Sequence, residues 1–299
     1  MKDRFTLEPL QNRTKEELMP ERDSMLKITG ALLPILIYNL AGQVVIVLFA
    51  YFVQWASMQE GALLQVSEWM RTNSMLLSGL VKGLSLIVSA GAVYSLFVKE
   101  KPVISMPVAH KKDVGILFFL GASAALAVNI LFAITGFTGS VASYEEVAEQ
   151  QFVFPLWAGI LLYGVISPIA EELVFRGIVY NRLRRNYSLN IALIYSAIFF
   201  GLYHGNVVQG VYGFLLGLLM AVLYEKYGSF LVPVILHGAA NIAVYIATSA
   251  QVVRIWGKEK KMWEICMNIP ALLVCTLIFM VLLTLCLSKK NTGATENNM

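Results

Sequence analysis

Eight long apolar runs, nearly free of charge, decide most of what this chain can fold into. They lie near 28–53, 75–98, 115–137, 154–180, 189–204, 207–224, 229–248 and 269–287. About 20 apolar residues wound as a helix cross roughly 30 Å of hydrocarbon. Within lipid, backbone N–H and C=O groups must be satisfied internally, so each run reads as helix rather than open strand. The chain holds 42 charged side chains (23 Lys+Arg and 19 Asp+Glu), 14% of its residues, against about 25% in a soluble protein. Only Lys82, Glu171, Glu172 and Arg176 fall inside the runs. A soluble enzyme, a disordered chain and a nucleic-acid binder are excluded, despite the net charge of +4. The fold class is all-α, a polytopic membrane protein with about eight transmembrane helices.

Lys/Arg bias sets the expected orientation. With eight spans both termini share a side. That side carries six basic residues before the first span, then Lys99, Lys101, Lys111 and Lys112, then Arg182, Arg184 and Arg185, then Lys226, and finally Lys289 and Lys290. Both termini are expected in the cytoplasm and the protein in the cell membrane, with lipid around it. The loop holding Arg254, Lys258, Lys260 and Lys261 runs against this pattern. Residues 1–27 read as a cytoplasmic tail, too polar and acidic for a cleaved signal, with the first span as an uncleaved anchor. Residues 28–287 read as one membrane domain, and 288–299 as a second cytoplasmic tail. Cys266, Cys275 and Cys286 lack C-x-x-C spacing and read as packed thiols.

An ionisable group at membrane depth needs a partner or a function. Three segments supply such groups: Ala170-Glu171-Glu172-Leu173-Val174-Phe175-Arg176, Phe199-Phe200-Gly201-Leu202-Tyr203-His204 and His237-Gly238-Ala239-Ala240-Asn241. His110, the remaining histidine, falls in a basic loop. Glu172 and Arg176 share a helix face and are expected to pair, leaving Glu171, about 100° round the helix, to face a neighbour. The turn between the fourth and fifth runs centres near Tyr187. Glu171 precedes it and His204 follows it by similar counts, so in a helical hairpin both reach about the same depth, roughly 25 Å from the turn. His237 lies about 14 Å in from the same side, with Asn241 one turn beyond. Singly, the ion pair reads as structural and each imidazole or amide as interhelical glue. Together they suggest a site. Lys82 shows no evident partner in the sequence.

Aspartate occurs only at Asp3, Asp23 and Asp113, outside the runs, which excludes a paired-aspartate intramembrane protease. No H-E-x-x-H is present to hold a catalytic zinc. Ser123, in Gly121-Ala122-Ser123-Ala124, lacks the following glycine of a rhomboid-type serine motif and reads as close helix packing. A glutamate with histidines remains, a set able to deprotonate and orient water.

The ordered motifs E-E-x-x-x-R, F-x-x-x-H and H-x-x-x-N, each on its own membrane helix, resemble the CAAX protease and bacteriocin-processing (CPBP, formerly Abi) family, which includes the type II CAAX prenyl endopeptidases. The likeness covers about 156–248, the fourth to seventh runs, which it makes the catalytic core. It implies a metal-independent, glutamate-dependent intramembrane endopeptidase with no cofactor, acting on a membrane-associated, lipidated or hydrophobic peptide or protein that enters from bilayer or cytoplasm. On that resemblance Glu171 is the base, His204 holds the water, and His237 and Asn241 form the oxyanion hole. Glu172 and Arg176 support them from behind. The cavity is expected to open to the cytoplasmic side. The alternatives are a non-proteolytic immunity or regulatory membrane protein and a proton-coupled transporter.

Overall fold

A computed structural model describes residues 21–100, 111–138, 141–250 and 262–288. His110, Lys101, the dissenting basic loop and most of both expected tails lie outside the described residues, as does the side chain of Cys266. Among the described residues every regular element is helical: α1 (Glu21–Ser57), α2 (Ala62–Thr72), α3 (Ser74–Lys99), α4 (Lys111–Thr135), α5 (Ala142–Gln151), α6 (Leu156–Asn186), α7 (Leu189–Tyr203), α8 (Val207–Tyr227), α9 (Leu231–Ser249) and α10 (Met262–Ser288). The protein is an all-α, multi-pass membrane protein.

Seven of these helices are long and apolar enough to cross a membrane. Of the helices that hold the eight apolar runs, α7 alone falls short. At 15 residues it rises only about 22 Å, less than the roughly 30 Å of a hydrocarbon core. The chain turns early because Gly205 takes a left-handed φ of 74° and Asn206 caps the next helix, its side chain accepting from Gln209 N at 2.9 Å. The fifth run is therefore a short apolar helix, below the length of a full span. At the other end of α8, Gly228 in the left-handed region closes the helix. The 138–151 segment, read from sequence as a loop, contains the short helix α5.

Two thirds of the apolar window of α6 is buried, 67%, against 6% for α10. α6 is thus the central post, with α1, α3, α7 and α9 around it, while α10 lies outside against α4. Small residues set the close crossings, as in other membrane bundles. Gly121 of α4 lies against the backbone of Leu236 on α9, where a Cβ would clash. Ser123, one turn of side chain away, donates to the Leu120 carbonyl and is buried, so it serves packing. Gly201 of α7 faces Gly210 of α8, where a Cβ would stand 2.5 Å from the carbonyl oxygen. Cys275 and Cys286 are free thiols in α10.

Hydrogen bonds fix which helix ends lie together. Arg182 near the end of α6 bonds Glu100, just past α3, at 2.6 Å and the Gly30 carbonyl of α1 at 2.6 Å. Arg185 also pairs with Glu100, and Arg184 meets Glu225 near the end of α8 at 3.1 Å. At the opposite end, Gln209 at the start of α8 reaches Gln151 of α5 at 3.4 Å. The bundle has an arginine-rich end and an α5 end.

Candidate active site

The middle of α6 is not a plain α-helix. Ser167–Val174 is α-helical but is flanked by wider π-type turns over Ile160–Ile166 and Phe175–Tyr180, a distortion common at functional sites. Pro168 explains part of the first. In π register Ser167 N–H bonds to the Leu162 carbonyl, so the next N–H would serve Tyr163 O, but proline has none. A buried carbonyl left this way needs a donor. Asn241 of α9 supplies it, its Nδ2 donating to Tyr163 O at 2.8 Å. The approach of α9 is possible because Gly238 and Gly164 meet, a Cβ on Gly238 falling 2.6 Å from the Gly164 oxygen.

Glu172 and Arg176 form the expected pair at 2.9 Å, and both are fully buried. Glu172 Oε1 also accepts from His237 Nδ1 at 2.9 Å. Because a carboxylate oxygen accepts, this bond places the proton of neutral His237 on Nδ1 and turns Nε2 towards Glu171, whose Oε2 lies 3.8 Å away. Arg176 donates from its other terminal nitrogen to the Gly217 carbonyl of α8 at 2.8 Å. Gly217 gives room there, since a Cβ would stand 3.3 Å from that nitrogen and 3.1 Å from the Phe200 ring.

The two neighbouring glutamates therefore face different surroundings. Glu171 accepts a short hydrogen bond from Ser167 Oγ through Oε1, while its buried Oε2 has no hydrogen-bond partner. It borders a cavity of about 360 Å³ that is also lined by His204, His237, Asn241, Ser167 and Lys82. His204 follows the last residue of α7. Its Nδ1 lies 2.8 Å from the Phe200 carbonyl, which can only accept, so Nε2 is left as the acceptor of neutral His204. Phe200 holds the group together: it makes edge contacts with His204 at 5.0 Å and His237 at 5.4 Å, and the Arg176 guanidinium lies over its ring at 4.6 Å. The phenylalanine of F-x-x-x-H is thus a packing hub for both imidazoles.

All six residues singled out in the sequence come together here, in two layers. Glu171, His204, His237 and Asn241 line the cavity. Glu172 and Arg176 stand behind His237. Asn241 departs from expectation in that one of its N–H bonds is spent on Tyr163 O, leaving one for other use. Lys82, which seemed unpartnered, donates to Tyr163 Oη at 3.0 Å. Ser167, Tyr163 and Gly217 were missed, although Pro168 marked the loosened turn that Asn241 repairs. Among the described residues no three His, Cys, Asp or Glu side chains gather as a metal-ligand group.

The lining residues locate the cavity along the bundle. Its lining includes Asn129 and Phe132 from the last turns of α4, Tyr144 and Gln151 of α5, and Gln209 at the start of α8. It therefore occupies the half of the bundle towards α5, not the half towards Arg182–Arg185.

Residues 152–243 match the family model described as "Type II CAAX prenyl endopeptidase Rce1-like". The chain is 26% identical over 129 residues to the UPF0177 protein YxdF of Lactococcus lactis, covering 43% of this chain and 71% of that one. It is 25% identical over 144 residues to the protein of Bacillus subtilis named "Putative membrane peptidase YdiL", covering 42% of this chain and 59% of that one, less than two thirds of its length. No solved structure matches. The match takes in the E-E-x-x-x-R, F-x-x-x-H and H-x-x-x-N motifs together with the helices that bring them to one cavity. Over residues 152–243, about a third of its length, the chain is thus similar to the Rce1-like family of type II CAAX prenyl endopeptidases.

Proposed function

We propose that the protein is an intramembrane endopeptidase in which Glu171 activates water against the peptide bond of a membrane-associated substrate. The observation that carries this is the free Oε2 of Glu171, facing His237 Nε2 across 3.8 Å in a cavity that His204 also lines. A water there can donate to Glu171 Oε2 and to the lone pair of His204 Nε2. Glu171 takes one proton as the water oxygen bonds to the substrate carbonyl carbon. The oxyanion is met by the remaining N–H of Asn241 and, when protonated, by His237 Nε2. As the C–N bond breaks, Glu171 returns the proton to the leaving amine. Glu172, held by Arg176, fixes the tautomer and angle of His237 from behind.

The orientation belongs to the same proposal. The arginine-rich end faces the cytoplasm, following the Lys/Arg bias, and the cavity then sits in the half of the membrane nearer the outer face. Substrates are peptides or proteins with a hydrophobic or lipidated segment, reaching the site from within the bilayer.

The test compares membranes of cells lacking the protein with cells expressing wild type, Glu171→Gln or His204→Ala at matched levels, by mass spectrometry of membrane peptides. A precursor that accumulates in the deletion strain disappears with wild type and persists with either variant. Restoration by both variants overturns the proposal and leaves a non-proteolytic regulatory role.

A further inference from the structure

The site cavity adjoins a second one, sharing part of its wall. A groove of about 670 Å³ runs between α1 and α3 and shares Asn39, Lys82, Leu86 and Tyr203 with the cavity around Glu171. Its inner wall is where α1 and α3 touch: Ser85 Oγ donates to the Gly42 carbonyl at 3.1 Å, and a Cβ on Gly42 would stand 2.6 Å from Ser89 Oγ. Asn39 and Gln43, both exposed, line the same groove. Polar side chains on lipid-depth helices suit an occupant with a backbone to bond better than an acyl chain.

Lys82 stands at the junction. Its side chain is exposed into these cavities, and its ammonium bonds the neutral Tyr163 hydroxyl at 3.0 Å and lies 4.7 Å from that ring. Among the described residues no carboxylate forms an ion pair with it. Among the described residues the groove is lined by no Asp or Glu, and the site cavity by Glu171 alone, whose Oε1 is taken by Ser167 and whose Oε2 faces His237. An ammonium has three N–H donors, and the phenol uses one. Glu171 attracts the charge through space without an ion pair, and at membrane depth a cation with unused donors is costly, so such residues face a partner or a pathway.

We propose that Lys82 is a specificity-determining residue that binds a carboxylate of the substrate, and so sets the cleaved bond a short distance along the chain from that carboxylate. The proposal rests on the endopeptidase reading for the cut, though not for the binding. One chemistry has two sources, the free C-terminus of the peptide or an Asp or Glu side chain within it.

Binding and cleavage are read separately. Glu171→Gln protein in detergent micelles is offered a mixture of apolar peptides, each present as free acid, as C-terminal amide, and as amide with one internal Glu. Retained peptides are counted by mass spectrometry. Acids are expected at least about tenfold over their amides, the range of a charge-assisted hydrogen bond. The preference is expected to vanish in Glu171→Gln/Lys82→Met and to survive in Glu171→Gln/Lys82→Arg, which keeps the charge. Retention of the internal-Glu amides at the level of the acids assigns the side chain as source. Equal retention of acid and plain amide without gain from the internal Glu, retention of neither, or an acid preference that persists without the Lys82 charge overturns the proposal. Loss of all cleavage by the wild type, with the charge-dependent retention intact, would instead count against the endopeptidase reading alone.

Discussion

Glu100 and Glu225 at the arginine-rich end, and Glu171 in the middle of the bundle, are all shielded carboxylates, yet they are bonded differently. Glu100 has both oxygens occupied, by Arg182 and by Arg185. Glu225 likewise meets Arg184 through one oxygen at 3.1 Å and the Tyr180 hydroxyl through the other at 2.6 Å. Glu171 has one oxygen on a serine and the other without a partner. Saturated carboxylates tie helix ends together and have nothing left to offer a substrate. An unsaturated one, buried and beside an imidazole, has capacity for a proton. Glu172 lies between these cases: Oε1 is shared by Arg176 and His237, while Oε2, like that of Glu171, has no hydrogen-bond partner, but Glu172 does not line the cavity.

The contrast breaks first at Arg176. Replacing it with Met leaves Glu172 buried without its counter-charge, which costs about 3–5 kcal/mol. Thermal unfolding in detergent should show this as a large loss of stability. The double variant Glu172→Leu/Arg176→Met should recover most of that stability, because apolar residues can replace a buried pair. It should not recover cleavage, since His237 Nδ1 then has no acceptor. Recovery of both would mean that Glu172 serves the fold alone.

A smaller effect is expected one turn from Glu171. Ser167→Ala removes the donor to Oε1 without opening a large void. Stability should change by about 1 kcal/mol and the cleavage rate should fall by about tenfold, the equivalent of one hydrogen bond to a charged group. An unchanged rate would show that the bond does not hold the carboxylate in its working position.

The smallest effect belongs to the saturated end. Arg184 is 25% exposed in its pair with Glu225, and partly exposed pairs contribute about 0–1 kcal/mol. Arg184→Met should leave the cleavage rate unchanged and lower stability only slightly, measured in the same unfolding assay. A strong loss of activity would couple the two ends and undo the distinction drawn between them.

Much of this was legible in the sequence because lipid removes alternatives. Charge is so costly there that Glu171, Glu172, Arg176 and the two histidines stood out without any structure. The i, i+4 spacing of Glu172 and Arg176 gave their pairing, and equal counts from Tyr187 gave the shared depth of Glu171 and His204. What escaped was set by backbone detail. The missing N–H of Pro168 matters only once the helix there is π-wound, and that assigns one Asn241 N–H to Tyr163. The length of α7 depends on a left-handed Gly205. Gly217 carried no signal in the sequence because its role is to receive Arg176, which lies 41 residues away along the chain. Lys82 seemed isolated because its partner, Tyr163, is a neutral phenol 81 residues away.

The central claim is that the free oxygen of Glu171 removes the proton from the attacking water. Purified wild-type protein and Glu171→Gln, reconstituted in liposomes with the precursor peptide that accumulates in the deletion strain, should be compared in single-turnover cleavage. The account predicts that Glu171→Gln folds and binds the peptide but cleaves about 10²–10⁴-fold more slowly, the span of a general base. Cleavage by Glu171→Gln within a few-fold of wild type would contradict it.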